Sequence, residues 1–114
     1  MNDRKEILLQ LINYNQPIGQ IEATLKQSPW DSEITLVTLT RQHMVDVLSR
    51  YLKQELTSEQ IEAWANITEG REDIAFEFEY EDSLQEVIYC LANPLLTSPL
   101  NESNVNNFLE MLKI

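Results

Sequence analysis

The chain has 114 residues, 43% of them apolar and 24% charged, which is enough for one compact core and too few for a two-domain catalytic architecture. Nineteen acids against eight Lys and Arg give a formal charge of −11, a balance that disfavours nucleic-acid phosphates and anionic membrane surfaces and fits a basic protein partner. The single cysteine, Cys90, rules out an internal disulfide, and the start MNDRKE lacks the layout of a signal peptide. No apolar run approaches the roughly 18 to 20 residues that span a bilayer. These features predict a cytoplasmic protein.

Two glycines and four prolines leave few positions where the chain can break, which favours long helices. Ile7, Leu8, Leu11 and Ile12 recur at helical spacing, and Ile18, Ile21 and Leu25 follow Pro17, which suits a first-turn position. Ser28-Pro29-Trp30-Asp31 is expected to stop this second helix, because a proline disfavours helical geometry in the residue before it. A third helix is predicted from Thr40 or Arg41 to Gln54, with Met44, Val47, Leu48, Tyr51 and Leu52 on one side and an Asp46–Arg50 pair supporting the other. Thr57 and Gln60 form a capping box for a fourth helix over 58–69, which Gly70 stops. Ser83 with Glu86 reads as the box of a fifth, carrying Leu84, Val87, Ile88 and Leu91 inward and ending at Asn93-Pro94. Asn101 or Ser103 caps a sixth, whose inward face is Val105, Phe108, Leu109 and Leu112.

Two stretches resist the helical reading. Residues 34–39 (ITLVTL) are rich in β-branched residues, and residues 74–80 (IAFEFEY) alternate apolar and acidic side chains, so a short two-stranded pairing between them competes with helix. The fold class expected is all-α, a single-domain bundle (1–114) of five to six helices with room for that minor strand element. Trp64, Ile61, Leu48, Tyr51, Val87, Ile88, Leu91 and Phe108 are its predicted core.

Signatures of enzyme chemistry are absent from the sequence: there is no phosphate-binding glycine loop, His-x-x-x-His pair or Cys-x-x-Cys pair. His43 lies beside Asp46 on the predicted polar flank of the third helix, where an exposed histidine next to an acid is ordinary. Cys90 borders an apolar stripe with no basic neighbour in sequence to lower its pKa, as a small buried hydrophobe does. The acids of 72–82 lack the glycine and register of a calcium loop, so neither metal nor cofactor is expected. Asn66-Ile67-Thr68 matches the glycosylation pattern but falls inside a helix.

Charge is concentrated in one third of the chain. Residues 1–54 carry six bases and six acids, while residues 55–86 carry eleven acids against Arg71 alone, a balance of −10. On the fourth helix Glu59, Glu62, Asn66 and Glu69 fall within about 80° of arc, opposite Ile61, Trp64, Ala65 and Ile67. Behind them Glu72, Asp73, Glu77, Glu79 and Asp82 are interleaved with Phe78 and Tyr80. Acids steer a basic partner at long range and aromatics supply contact area, so these eleven residues are the partner-binding candidates. A charge run is more often a solvated face, and alternating aromatics often bury, so a plain solubility role competes with this reading.

Residues 36–96 resemble a small, acidic, largely uncharacterised helical domain of bacterial proteins, through the WAN of the fourth helix, the EGREDI turn after it and the LANP stop of the fifth. That domain is similar in size, charge and helical make-up to the immunity proteins that neutralise bacterial toxins. The likeness is one of style and includes no signature of the nuclease-colicin immunity proteins, so no functional residue carries over. It implies a non-enzymatic protein that occludes a basic surface of a partner such as a toxin domain. Against it stands a structural or oligomeric subunit in which the aromatics bind another copy and the acids stay wet. A hydrolase built on clustered carboxylates is the third reading.

Overall fold

The computed structural model describes residues 4–26, 35–97 and 99–112. In chain order the elements are α1 (Arg4–Asn13), α2 (Ile18–Lys26), β1 (Val37–Leu39), α3 (Arg41–Leu52), α4 (Ser58–Thr68), β2 (Ile74–Phe76), α5 (Glu81–Ala92) and α6 (Glu102–Met111). The expected all-α bundle with a minor pair of strands is what forms. The Ser28–Asp31 stop and Ile34 lie outside the described residues.

β1 and β2 run parallel, pairing Val37 with Ile74, Thr38 with Ala75 and Leu39 with Phe76. A parallel pair needs a long crossover, and residues 40–73 supply one that contains α3 and α4. Both strands are shorter than the stretches that predicted them. Phe78 and Tyr80, which alternate as strand residues in sequence, belong instead to the turn that leads into α5.

One apolar cluster draws on every element. Leu8, Leu11, Ile12, Leu39, Met44, Leu48, Ile61, Trp64, Leu84 and Ile88 are almost completely buried in it. α4 packs along α5, α3 against α6, and α1 touches α2, α3, α4 and β1. Trp64 sits at the centre, where its indole N–H donates to the Leu11 carbonyl at 2.7 Å, so the largest core side chain also satisfies a buried acceptor. Tyr51 and Phe108, placed in the core by periodicity, pack against its margin and stay half-exposed.

The caps explain where helices begin, and where sequence patterns mislead. At α4 the Thr57 hydroxyl accepts from the Gln60 amide at 3.1 Å, and the Gln60 side chain accepts from the Thr57 amide at 2.8 Å. Of the two candidates ahead of α6, Asn101 is the cap, accepting from the Asn104 amide at 2.8 Å. α5 starts at Glu81, two residues before the predicted box, and Tyr80 at its N-cap makes no side-chain capping bond. Glu81 and Asp82 in its first turn favour the positive end of the helix dipole. The Asp46–Arg50 pair does not form. Asp46 accepts from Gln42 at 2.9 Å, while the Arg50 guanidinium donates to the Tyr14 carbonyl at 2.7 Å and lies near Glu55.

His43 is not an exposed flank residue. It is half-buried at the third position of α3 and completes a capping box with Thr40. The Thr40 amide donates to His43 Nδ1 at 2.9 Å, a bond that requires this nitrogen to be unprotonated. Burial lowers the His43 pKa below its ordinary value, and Asp46 offsets this in part. The neutral form is therefore favoured by folding. Its contribution is complete above the unfolded pKa of about 6.5 and is lost as pH falls through the lower folded value. Melting temperatures across this range should show wild type losing stability relative to His43→Gln, which keeps an N3 acceptor that does not titrate. The difference should approach about 1 kcal/mol, the usual worth of a cap; parallel pH profiles would contradict this role.

Candidate functional site

The segment following β2 is held by one cation from α3. The Arg41 side chain donates to Glu77 Oε1 and Oε2, each at 3.1 Å, and its backbone amide donates to Oε1 at 2.9 Å. The same guanidinium lies 3.7 Å from the centre of the Tyr80 ring. Hydrogen bonds from the Arg41 side chain and backbone hold the Glu77 carboxyl below the usual carboxylate range. Glu77 N–H donates to Leu39 O at 2.9 Å and Tyr80 N–H to Glu77 O at 3.0 Å, so both ends of the turn are tied down.

Between these ends the chain presents two side chains outward. Phe78 is 80% exposed, the most exposed aromatic among the described residues. Glu79 is exposed at φ +74°, a left-handed conformation uncommon for residues other than glycine. The turn thus displays a large apolar ring beside a carboxylate.

Beside this turn lies a groove of about 1000 Å³ between β2 and α5. Ile74 and Ile88 line it as buried residues, and Ala75 and Phe76 as half-buried ones. Glu69, Glu72, Asp82 and Glu86 line it as exposed carboxylates and Glu81 as a half-buried one. Arg71 also lines the groove, but its guanidinium is engaged with Asp73.

Several of the eleven candidate residues therefore have other roles. Asp73 is completely buried and accepts two bonds from Arg71, each at 3.0 Å. A carboxylate so placed cannot reach a partner, and this corrects its assignment to the binding surface. Glu77 and Tyr80 are bound to Arg41 and act as supports of the turn. Glu59 and Asn66 are exposed on α4, outside the groove lining. Glu62 is half-buried in a separate cavity of about 120 Å³, shared with Cys90, Leu91, Pro99, Leu100 and Phe108. Glu69, Glu72 and Asp82 come together in the groove, with Phe78 and Glu79 in the neighbouring turn.

Charge patterning missed Arg41, which lies 36 residues from Glu77. It also missed Gln85, Glu86 and Tyr89, which the turns of α5 bring to the groove. The i, i+3 and i+4 spacing of Asp82, Gln85, Glu86 and Tyr89 is the signal that could have found them. Burial raises the Cys90 thiol above its ordinary pKa, with Glu86 acting in the same direction and a Thr97 hydrogen bond opposing. Its thiolate is therefore scarce near neutral pH.

Among the described residues, no group of three His, Cys, Asp or Glu is arranged to hold a metal, and no helix is long and apolar enough to cross a membrane. The fold and surface together define an all-α bundle with a minor parallel strand pair, an acidic groove and a locked aromatic turn. No protein-family model, curated protein or solved structure matches the chain.

Proposed function

We propose that this chain is a non-enzymatic cytoplasmic binding protein that blocks a basic surface of a protein partner, as an immunity protein occludes the active or substrate-binding surface of a toxin. The observation that carries this reading is Phe78, displayed at 80% exposure on a turn fixed by Arg41 and flanked by Glu79. In the complex, Glu69, Glu72, Glu79 and Asp82 face Lys or Arg of the partner, while Phe78 becomes the desolvated anchor that slows dissociation.

The test is capture of a tagged chain from its native host at low and then high salt, with Phe78→Ala as the paired bait and mass spectrometry as the readout. A stoichiometric basic protein that salt releases, and that the variant holds more weakly by about 2 kcal/mol or more, is the expected result. Equal retention by both baits would contradict the role of Phe78.

A second reading rests on a different observation. Leu95 is fully exposed and Leu96 74% exposed, side by side after α5, and an apolar pair of this kind suits self-association. Light scattering distinguishes it. A mass well above 13.3 kDa that Leu95→Ser with Leu96→Ser returns to the monomer value would favour the oligomer.

A further inference from the structure

The strand pair has one edge that faces the groove. In a parallel ladder the residues of a strand alternate, one directing its backbone N–H and C=O toward the partner strand and the next directing them away. Leu36 and Val37 N–H donate to Asp73 O, and Glu77 N–H donates to Leu39 O, so Asp73 and Glu77 face β1 and Ala75 between them shares their phase. Ile74 and Phe76 are left with their backbone groups on the opposite edge. Among the described residues, neither makes a backbone bond outside the sheet.

Ile74, Ala75 and Phe76 all line the groove. A strand that turns one face to a cavity offers alternate residues, whereas a strand that turns its edge offers consecutive ones. Among the described residues, the groove is therefore bounded on one side by a sheet edge with no further strand on it, with the acids Glu69 and Glu72 and those of α5 around it.

We infer that this edge takes up an extended, lysine- or arginine-bearing segment of the protein partner as a third strand, with main-chain bonds to Ile74 and Phe76 and ion pairs to the surrounding carboxylates. The inference rests on the blocking function proposed above and adds its mode of recognition. Backbone pairing supplies affinity that is indifferent to sequence, and charge selects the segment. Glu69, Glu72, Asp82 and Glu86 are exposed acids in the lining, and Arg71, the one cation lining it among the described residues, is engaged with Asp73, so the complementary strand is basic.

The probe is a capped peptide of alternating lysine and valine, studied by amide hydrogen exchange and backbone chemical shifts of the whole chain. Two further peptides carry N-methyl groups on alternate amides, offset from each other by one residue. A glutamate-for-lysine peptide controls for charge. Strand addition predicts that Ile74 and Phe76 amides gain protection of about tenfold or more. It also predicts that one N-methyl peptide binds like the parent, while the other and the acidic peptide do not. Equal binding by both N-methyl peptides, or no binding by the parent, would overturn the inference. Salt-sensitive binding that shifts Phe78 and Glu79 but leaves Ile74 and Phe76 unprotected would overturn strand addition alone. Failure of the blocking function would show separately, in the capture experiment, as no stoichiometric basic protein recovered with the wild-type chain.

Discussion

Replacing Arg71 with Ala should destabilise the fold by about 3–5 kcal/mol, a large part of the roughly 5–15 kcal/mol that holds a domain of this kind together. The reason is the position of Asp73 more than the worth of the ion pair. Asp73 is completely buried, and its carbonyl accepts from Leu36 and Val37 N–H at the point where β1 and β2 come together. Without the guanidinium, a desolvated carboxylate is left without its two bonds from Arg71, and the start of the strand pair is left beside it. The double variant Arg71→Met with Asp73→Leu should regain much of the loss, because it removes the buried carboxylate along with the pair. Urea unfolding of the three proteins checks this. A small loss in Arg71→Ala, or a double variant no better than the single, would show that the pair does not hold this turn.

Trp64→Ala should cost about 3–5 kcal/mol. The indole is fully buried and is among the largest side chains in the apolar cluster, so truncation opens a cavity between α4 and its neighbours. Trp64→Phe separates the two contributions. It keeps an aromatic ring but leaves the Leu11 carbonyl without its 2.7 Å donor, a loss of about 1–3 kcal/mol for an unsatisfied buried acceptor. Chemical unfolding that ranks wild type above Trp64→Phe and Trp64→Phe above Trp64→Ala is the expected order.

Local chemistry made much of this fold legible. Thr57 with Gln60 marked the start of α4 because the residues that satisfy its free amides lie three apart in sequence, and Asn101 announced α6 for the same reason. The box at Thr40 was harder to read, because histidine stands where glutamate or glutamine is usual, although Nδ1 accepts equally well. Ser83 misled in the opposite direction. Its spacing to Glu86 suits a box, yet α5 begins two residues earlier, after a turn that Arg41 fixes through Glu77 and Tyr80.

The candidate site divides along the same line between local and distant causes. The sequence left Phe78 open between a partner face and burial, because its alternation with Ile74, Phe76 and Tyr80 suits a buried strand face; the turn places it and Glu79 in solvent. Asp73 read wrongly as surface because charge patterning treats every acid as solvated, even though its bidentate partner Arg71 lies two residues away. Glu77 and Tyr80 could not be assigned from their neighbours, since their common partner Arg41 arrives across the chain. The groove is a product of packing α5 alongside β2, and the edge of β2 that borders it follows from a parallel register that no local pattern encodes.

The most direct test of the blocking role is the association kinetics of the captured partner with wild type, with Phe78→Ala and with the charge-neutralised pair Glu79→Gln and Asp82→Asn, each over a range of salt. Steering by exposed acids predicts that the neutralised protein associates more slowly and with a shallower salt dependence, and that Phe78→Ala acts mainly by faster dissociation. An on-rate and salt slope unchanged by neutralising these acids, together with a dissociation rate unchanged by Phe78→Ala, would contradict the account.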